Sequence, residues 1–300
     1  MNIVSFSGGK DSTAMLLKML ENGIPVDDIV FCDTGMEFPE MYNHIDKVAK
    51  YIKRKVTVLK RAETYQYFLG EHKKRNGKIG YGHPDFRNRW CTQLLKKTPF
   101  SQYIKQFEEV VEFHGIAADE KHRTLKNKEN NRVIKYPLVE WGITEKQALE
   151  YCYSKGFDWG GLYEKFHRVS CWCCPLSRIG ELRVLYNDFP ELWKELEEMD
   201  KKSFRKFRSD YSVKDLSEKF ANEKILQINE SVESNGIWKG GDYSMPLKPG
   251  YSRKTINYNT QMEISHGKNP KEAYAIAMRS ARKYAKRAGK IIPRARRKWE

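Results

Sequence analysis

The stretch Ser5-Phe6-Ser7-Gly8-Gly9-Lys10-Asp11-Ser12 decides how the rest of the chain is read. It follows a short apolar run, Ile3-Val4, and leads into an amphipathic one, Thr13-Ala14-Met15-Leu16-Leu17-Lys18-Met19-Leu20. This order predicts a strand, a tight glycine turn and a helix. Adjacent glycines let backbone N–H groups turn inward toward an anion, and the helix aims its positive end at the same point. Phosphate is the expected occupant. Ser7 and Ser12 add hydroxyl donors, and Lys10 adds a point charge. Asp11 suits a phosphate site as a Mg²⁺ ligand or as a helix cap. The G-x-x-x-x-G-K-[ST] spacing of the Walker loop is absent.

Outward from this loop, strands and helices alternate. Asp28-Ile29-Val30-Phe31-Cys32 reads as a second buried strand, and residues 39–53 as a helix opened by Pro39. Val56-Thr57-Val58-Leu59 is a third strand, and Val110-Val111-Glu112-Phe113-His114 a fourth. Residues 61–70 and 92–108 read as helices, with a surface loop over 71–90 between them. Residues 119–135 read as a charged loop, and Thr144 caps a helix over about 145–155. Such alternation implies a parallel sheet with crossover helices. The expected fold class is α/β, a doubly wound, Rossmann-like parallel sheet, with a helical, cysteine-containing C-terminal part and a basic tail. Three spans follow: a nucleotide-binding domain over 1–190, a charged helical extension over 191–235, and a turn-rich linker with a basic helical tail over 236–300.

Composition narrows the class. With 300 residues and 40% hydrophobic content, a sizeable core is available and the composition argues against global disorder. No apolar run spans a bilayer and no signal-peptide pattern opens the chain, so a cytoplasmic protein without a membrane partner is expected. A formal net charge of +16 favours a polyanionic partner, with nucleic acid ahead of a membrane surface. The last helix, about 271–288, carries Ala273, Ala277, Ala281 and Ala285 at i, i+4 spacing, with Arg279, Arg282, Lys283, Lys286 and Arg287, then Arg294, Arg296, Arg297 and Lys298. It reads as a nucleic-acid arm; the bland reading is a solvated helical tail.

Three further stretches carry candidate chemistry. Asp33-Thr34-Gly35 follows the second strand, where ligands of parallel sheets bind, so Asp33 is a candidate Mg²⁺ or ribose contact and Glu37 a weaker one. Gly115 follows the fourth strand at the same edge and permits close approach of a phosphate or base, while Arg123 could clamp an anion and Glu120 could fix Arg123 or bind metal. Cys171-Trp172-Cys173-Cys174-Pro175 groups three of the six cysteines within four residues, which argues for metal or redox work over core packing. Cys32 and Cys152 read as packing residues, Trp141 and Trp159 as core or nucleotide-wall residues, and His114, His122 and His167 as structural.

Ser7-Gly8-Gly9-Lys10-Asp11-Ser12 resembles the pyrophosphatase loop of the ATP pyrophosphatases, in the adenine nucleotide alpha hydrolase-like superfamily. Phe31 to Glu40, Gly115 to Arg123 and Arg168 to Leu176 narrow the resemblance to the phosphoadenosine-phosphosulfate reductase-like branch, over about residues 1–190 in the family's order. The resemblance implies splitting of ATP to AMP and pyrophosphate with Mg²⁺. It implies Lys10, Asp11 and Asp33 as catalytic residues, and Ser7, Gly8, Gly9, Lys10, Asp11, Ser12, Asp33, Gly115 and Arg123 around the nucleotide. Cys91, Cys171 and Cys174 become metal ligands, with Cys173 the candidate fourth; that adjacent cysteine is a departure from the family's C-x-x-C alone. The implied group is an iron–sulfur cluster, with Zn²⁺ as the competing metal. In motif state the chain is similar to cluster-dependent sulfurtransferases that act on tRNA or DNA, so a nucleic-acid acceptor and a sulfur-donor protein are the expected partners. Sulfonucleotide reduction is the alternative; reductases of the family resemble this chain less, since their loop is degraded and their nucleophilic cysteine lies further along, whereas no cysteine follows Cys174 here. A zinc-containing, non-catalytic nucleic-acid binder is the third reading. Acceptor identity, sulfur source and oligomeric state are left open by these residues.

Overall fold

The computed structural model describes residues 1–126, 133–169, 171–234, 247–265 and 267–287. They fall into two units, Met1–Asn229 and Glu230–Glu300. Residues 191–229 therefore belong with the first unit.

The first unit is organised by five short strands: β1 (Asn2–Ser5), β2 (Asp28–Asp33), β3 (Thr57–Lys60), β4 (Val111–His114) and β5 (Val133–Lys135). All pair in parallel, in the order β3-β2-β1-β4-β5. The chain leaves β1 toward β2 on one side and reaches β4 on the other, so the strand order reverses at β1. The crevice at the carboxyl ends of β1 and β4 is the place where such sheets bind ligands. The glycine loop leaves β1 there, and Gly115 leaves β4 beside it.

Side-chain alternation dresses both faces of the sheet. Val4, Ile29, Phe31 and Phe113 enter the main core, with the buried apolar residues of helices α1 (Lys10–Glu21) and α2 (Pro39–Tyr51). Ile3 and Val30 point the other way and meet Phe100 and Ile104. These two lie on α4 (Thr98–Ile104), which follows a π-helical turn over Thr92–Lys97. Helices on both faces make the sheet doubly wound, as expected. The short helices α3 (Tyr65–Gly70) and α5 (Pro137–Glu140) follow β3 and β5; further along, α6 (Glu145–Ser154) packs on α1, α7 (Leu162–Lys165) comes after it, and α8 (Ile179–Asp188), α9 (Pro190–Lys202) and α10 (Val213–Ser234) follow the cysteine segment.

Local expectations differ from the structure in three places. The stretch read as a charged loop over 119–135 contains a 3₁₀ helix over Ala118–Lys126 and the edge strand β5; residues 127–132 lie outside the described residues. β5 was hidden because three residues with Lys at the end give no periodic signal. The charged helical extension read over 191–235 is two helices, separated by residues 203–212. In the second unit, α11 (Arg253–Ser265) precedes α12 (Pro270–Arg287), where only the second was expected. The alanine stripe of α12 is buried, and Ala277 and Ala281 pack with Met278 on Ile256 of α11. Small side chains thus serve helix packing, while Arg279, Arg282, Lys283 and Lys286 are exposed. Arg294, Arg296, Arg297 and Lys298 lie outside the described residues. Among the described residues, no helix is long and apolar enough to cross a membrane.

Gly115 joins the two halves of the sheet. A Cβ there would stand 2.6 Å from both Cα and N of Ser12, backbone atoms that cannot yield without moving α1. Gly115→Ala is expected to cost about 1–3 kcal/mol through overpacking, read as a lower midpoint in denaturant unfolding. An unchanged midpoint would show that the junction has slack.

Candidate active site

The loop Ser7–Ser12 is gripped from three sides. Gly8 sits at φ +75°, and a Cβ on it would lie 2.8 Å from Met41 Sδ, so both its conformation and its space require glycine. The Gly8 carbonyl accepts from Trp159 Nε1 at 2.7 Å. Trp159 itself is held at φ +52°, and its ring stacks on His44 at 4.2 Å between centroids. His44 shares a 3.0 Å hydrogen bond with Thr13 Oγ1, and burial pushes its pKa down to about 3, so the ring stays neutral. The Lys10 amide donates to the Tyr163 hydroxyl at 2.8 Å. Cys152 lies beneath, its thiol 3.5 Å from the Lys10 carbonyl and pushed up to about 12 by burial, as suits a packing residue. Ser12 Oγ is 3.0 Å from Ser7 Oγ and from the Gly9 carbonyl. The two serine hydroxyls thus stand together at the mouth of the loop.

Electrostatics around Lys10 are dense. Its side chain is buried, with Nζ 2.9 Å from Glu145 Oε2 and 3.7 Å from Asp11 Oδ2. Glu145 opens α6, where Thr144 and Gln147 form a reciprocal cap and Asp119 accepts the Glu145 amide at 3.1 Å. Burial pushes Asp11 up to about 6, against the pull of Lys10, and Glu145, Glu120 and Asp119 add to the rise. One of its oxygens, Oδ1, is buried with no hydrogen-bond partner among the described residues. Arg123 pairs with Glu120. Asp119 and Glu145 were not singled out in the sequence; Asp119 lies in the first turn of the 3₁₀ helix that follows β4, and its place past that strand end was the available signal. Tyr163 gave none, and Trp159 was read only as a core or nucleotide-wall residue, since their contacts with the loop cross about 150 residues of chain.

Asp33 lies at the next strand end and is buried. Its Oδ1 accepts from the Gly35 amide and the Tyr42 hydroxyl, both at 2.7 Å, and Oδ2 meets Lys60 Nζ at 2.9 Å. Burial alone would raise this carboxyl; Tyr42, Lys60 and the Gly35 amide together hold it below its ordinary range. Between β1, β2 and α4 lies an apolar pocket of about 140 Å³, lined by Ser7, Phe6, Phe31, Phe100, His114, Lys96 and Lys97 among others.

The cysteine segment docks on the β2 side of the crevice. The Trp172 amide donates to the Met36 carbonyl at 3.0 Å, and Cys171 Sγ lies 3.5 Å from Glu37 Oε1 and 3.6 Å from Thr34 Oγ1. Lys96 Nζ sits 3.2 Å from the same Glu37 oxygen. Burial raises the thiols of Cys171, Cys173 and Cys91, and the buried Tyr65 phenol is raised by burial and by Cys173, Cys91, Cys171 and Cys174. The four cysteines therefore share one neighbourhood, although Cys91 is 80 residues from Cys171 in sequence. Soft thiolate donors are the right chemistry for iron–sulfur or zinc. Among the described residues, no group of three or more His, Cys, Asp or Glu side chains is arranged to hold a metal ion.

A family model described as the phosphoadenosine phosphosulfate reductase domain matches residues 1–177. An uncharacterised protein of Methanocaldococcus jannaschii is 30% identical over 212 residues, which cover 65% of this chain and 40% of that protein. An uncharacterised 37.8 kDa protein of Escherichia phage 186 is 23% identical over 304 residues, covering 83% of this chain and 89% of the phage protein. Among solved structures, phosphoadenylyl-sulfate reductase from Candida auris, in a phosphate complex, aligns with 20% identity and a TM-score of 0.43, over 57% of this chain and 82% of that one. The chain thus spans less than half the length of the archaeal relative it matches.

Folded Asp11 titrates near 6 against an ordinary value of 3.8, so above that range the folded state carries a penalty that is absent in acid, where both states are protonated. Asp11→Asn is expected to raise the unfolding free energy at neutral pH by up to about 3 kcal/mol, with the gain vanishing in acid. Thermal scans of both proteins across pH check this; a gain that grows in acid would reverse the sign.

Proposed function

The chain belongs to the phosphoadenosine phosphosulfate reductase domain family, and on that premise we propose that it is an ATP-dependent, adenylylating sulfurtransferase whose acceptor is a nucleic acid, tRNA or DNA. The observation that carries this reading is the intact loop after β1, with Lys10 and the amide-lined start of α1 at the point where the strand order reverses.

In this reading the loop amides and the positive end of α1 cradle the β- and γ-phosphates. A phosphate oxygen takes over the Lys10 amide now bonded to the Tyr163 hydroxyl. Lys10 neutralises charge as pyrophosphate leaves. Asp11, Asp119, Glu120 and Glu145 outnumber Lys10 and Arg123, so a polyphosphate enters this region favourably only with a divalent cation. Mg²⁺ needs only one or two carboxylates besides phosphate oxygens and water, and the unpartnered Oδ1 of Asp11 is suited to it. The adenine ring has an apolar berth in the pocket beside Ser7. An acceptor oxygen attacks the α-phosphorus, the bond to the bridging oxygen breaks, and pyrophosphate departs with the electron pair. The adenylylated centre is then open to a sulfur nucleophile, and AMP leaves. The protein's work in such a transfer is positioning and charge neutralisation.

The proposal extends to an iron–sulfur cluster on Cys91, Cys171, Cys173 and Cys174, with Zn²⁺ as the competing metal, on the strength of donor chemistry and shared neighbourhood. When bound, a cluster would hold or relay sulfur. The exposed cations of α12 support a polyanionic acceptor.

Lys10→Ala is expected to abolish ATP–pyrophosphate exchange while leaving the circular dichroism spectrum unchanged; full exchange in the variant would remove the loop from the chemistry. Anaerobically purified protein is expected to be brown and to contain iron and sulfide, and Cys171→Ser to lose both. Colourless protein with stoichiometric zinc would assign the cysteines to zinc instead.

A further inference from the structure

Beyond the nucleotide crevice, a cleft of about 480 Å³ opens between the turn around Phe86 and the turn over residues 204–209, with Pro175-Leu176 lining it as well. Its volume falls within the range of ligand sites. Its composition is unusual for a surface. Phe86 is 71% exposed and Phe204, next to Arg205, is 67% exposed. Leu176 adds a third exposed apolar side chain. Cations surround them: Arg205, Lys206 and Arg208 line the cleft, and the Arg87 guanidinium lies 5.1 Å from the Phe86 ring centroid.

The walls are fixed. Asp85 accepts from the amides of Arg87 and Asn88 at 2.7 and 2.6 Å and pairs with Arg205 across the cleft. Arg208 Nη1 donates to the carbonyls of Pro175 and Ser177, each at 2.7 Å, which ties this wall to the chain just after Cys174. The Asp85 and Asp210 carboxylates are each engaged by an arginine. Lys206 and Arg87 form no ion pair among the described residues, and both are exposed. An excess of positive charge thus sits beside exposed aromatic faces on a braced frame.

We propose that this cleft binds an unpaired stretch of nucleic acid, with a base stacked on Phe86 and phosphates on Lys206 and Arg87. Single strands are held by this combination, since every base has a face to stack and every linkage a charge. An acidic protein segment would use the cations but leave Phe86 and Phe204 in water, and a duplex keeps its bases stacked on one another. Because Pro175 follows Cys174 directly, a strand in the cleft lies alongside the cysteine segment. The proposal rests on the nucleic-acid acceptor named above and assigns its docking surface to the first unit, apart from the basic helix α12.

The test uses the full chain, a short fluorescein-labelled oligouridylate, and anisotropy over a range of salt. Phe86→Ala is expected to weaken binding roughly tenfold, as loss of one stacked base does. Lys206→Gln is expected to weaken it and to lower the salt slope by about 0.7, the share of one phosphate contact. A thiouridine-substituted oligomer is expected to crosslink to peptides containing Phe86 or Phe204. Unchanged affinity in Phe86→Ala, crosslinks confined to α12 and beyond, or equal competition by polyglutamate would each overturn the proposal. Calorimetry with Mg-ATP on the same proteins keeps the two readings apart. Phe86-dependent binding without ATP binding removes the adenylylation reading and leaves the cleft. ATP binding with an oligomer indifferent to Phe86 does the reverse.

Discussion

The close approach of β4 to the start of α1 is the constraint on which the rest of this fold depends. Gly115 has no side chain because the Ser12 backbone occupies that space. With the two so close, the loops leaving β1 and β4 share one crevice, and Asp119 reaches the cap of α6. α6 in turn supplies Glu145 to Lys10 and Cys152 to the underside of the loop. Trp159 and Tyr163, from the segment after α6, close the grip on Gly8 and Lys10. A loop held by a carbonyl acceptor at Gly8 and an amide donor two residues on at Lys10 is set before any ligand arrives, which is the preorganisation that stabilising a developing charge needs.

That preorganisation has an electrostatic cost. Lys10 is buried among carboxylates, and Asp11 is pushed toward neutrality by its burial. Such strain is common where a site awaits charge from outside. On the β2 side the balance is different. Asp33 is fully engaged by Lys60, Tyr42 and the Gly35 amide, so it acts on its surroundings as a satisfied carboxylate. Lys96 and Glu37 tie the same edge to Cys171.

The loop, the four strand ends of the first half and the cap at Thr144 were legible because each is a local signal: a glycine pair after an apolar run, a β-branched run, a hydroxyl before a periodic segment. Strand β5 and helix α11 were not, since a three-residue edge strand and a weakly amphipathic helix carry almost no period. Gly115 was legible as a close-approach residue, but the partner is the Ser12 backbone. The alanines of α12 were legible as a stripe, and the structure turns that stripe toward α11.

The amino-acid order alone determined that this is a parallel α/β protein with an anion loop at its first strand and cysteines gathered after residue 170, because those features are written in residues that are neighbours in the chain. Tertiary structure alone decided what surrounds them. Tyr163 on the Lys10 amide, Glu145 on its ammonium and Phe86 across from Lys206 are meetings of residues far apart in sequence. No spacing rule encodes such meetings; they follow from the strand order and from the volume each side chain leaves for the next.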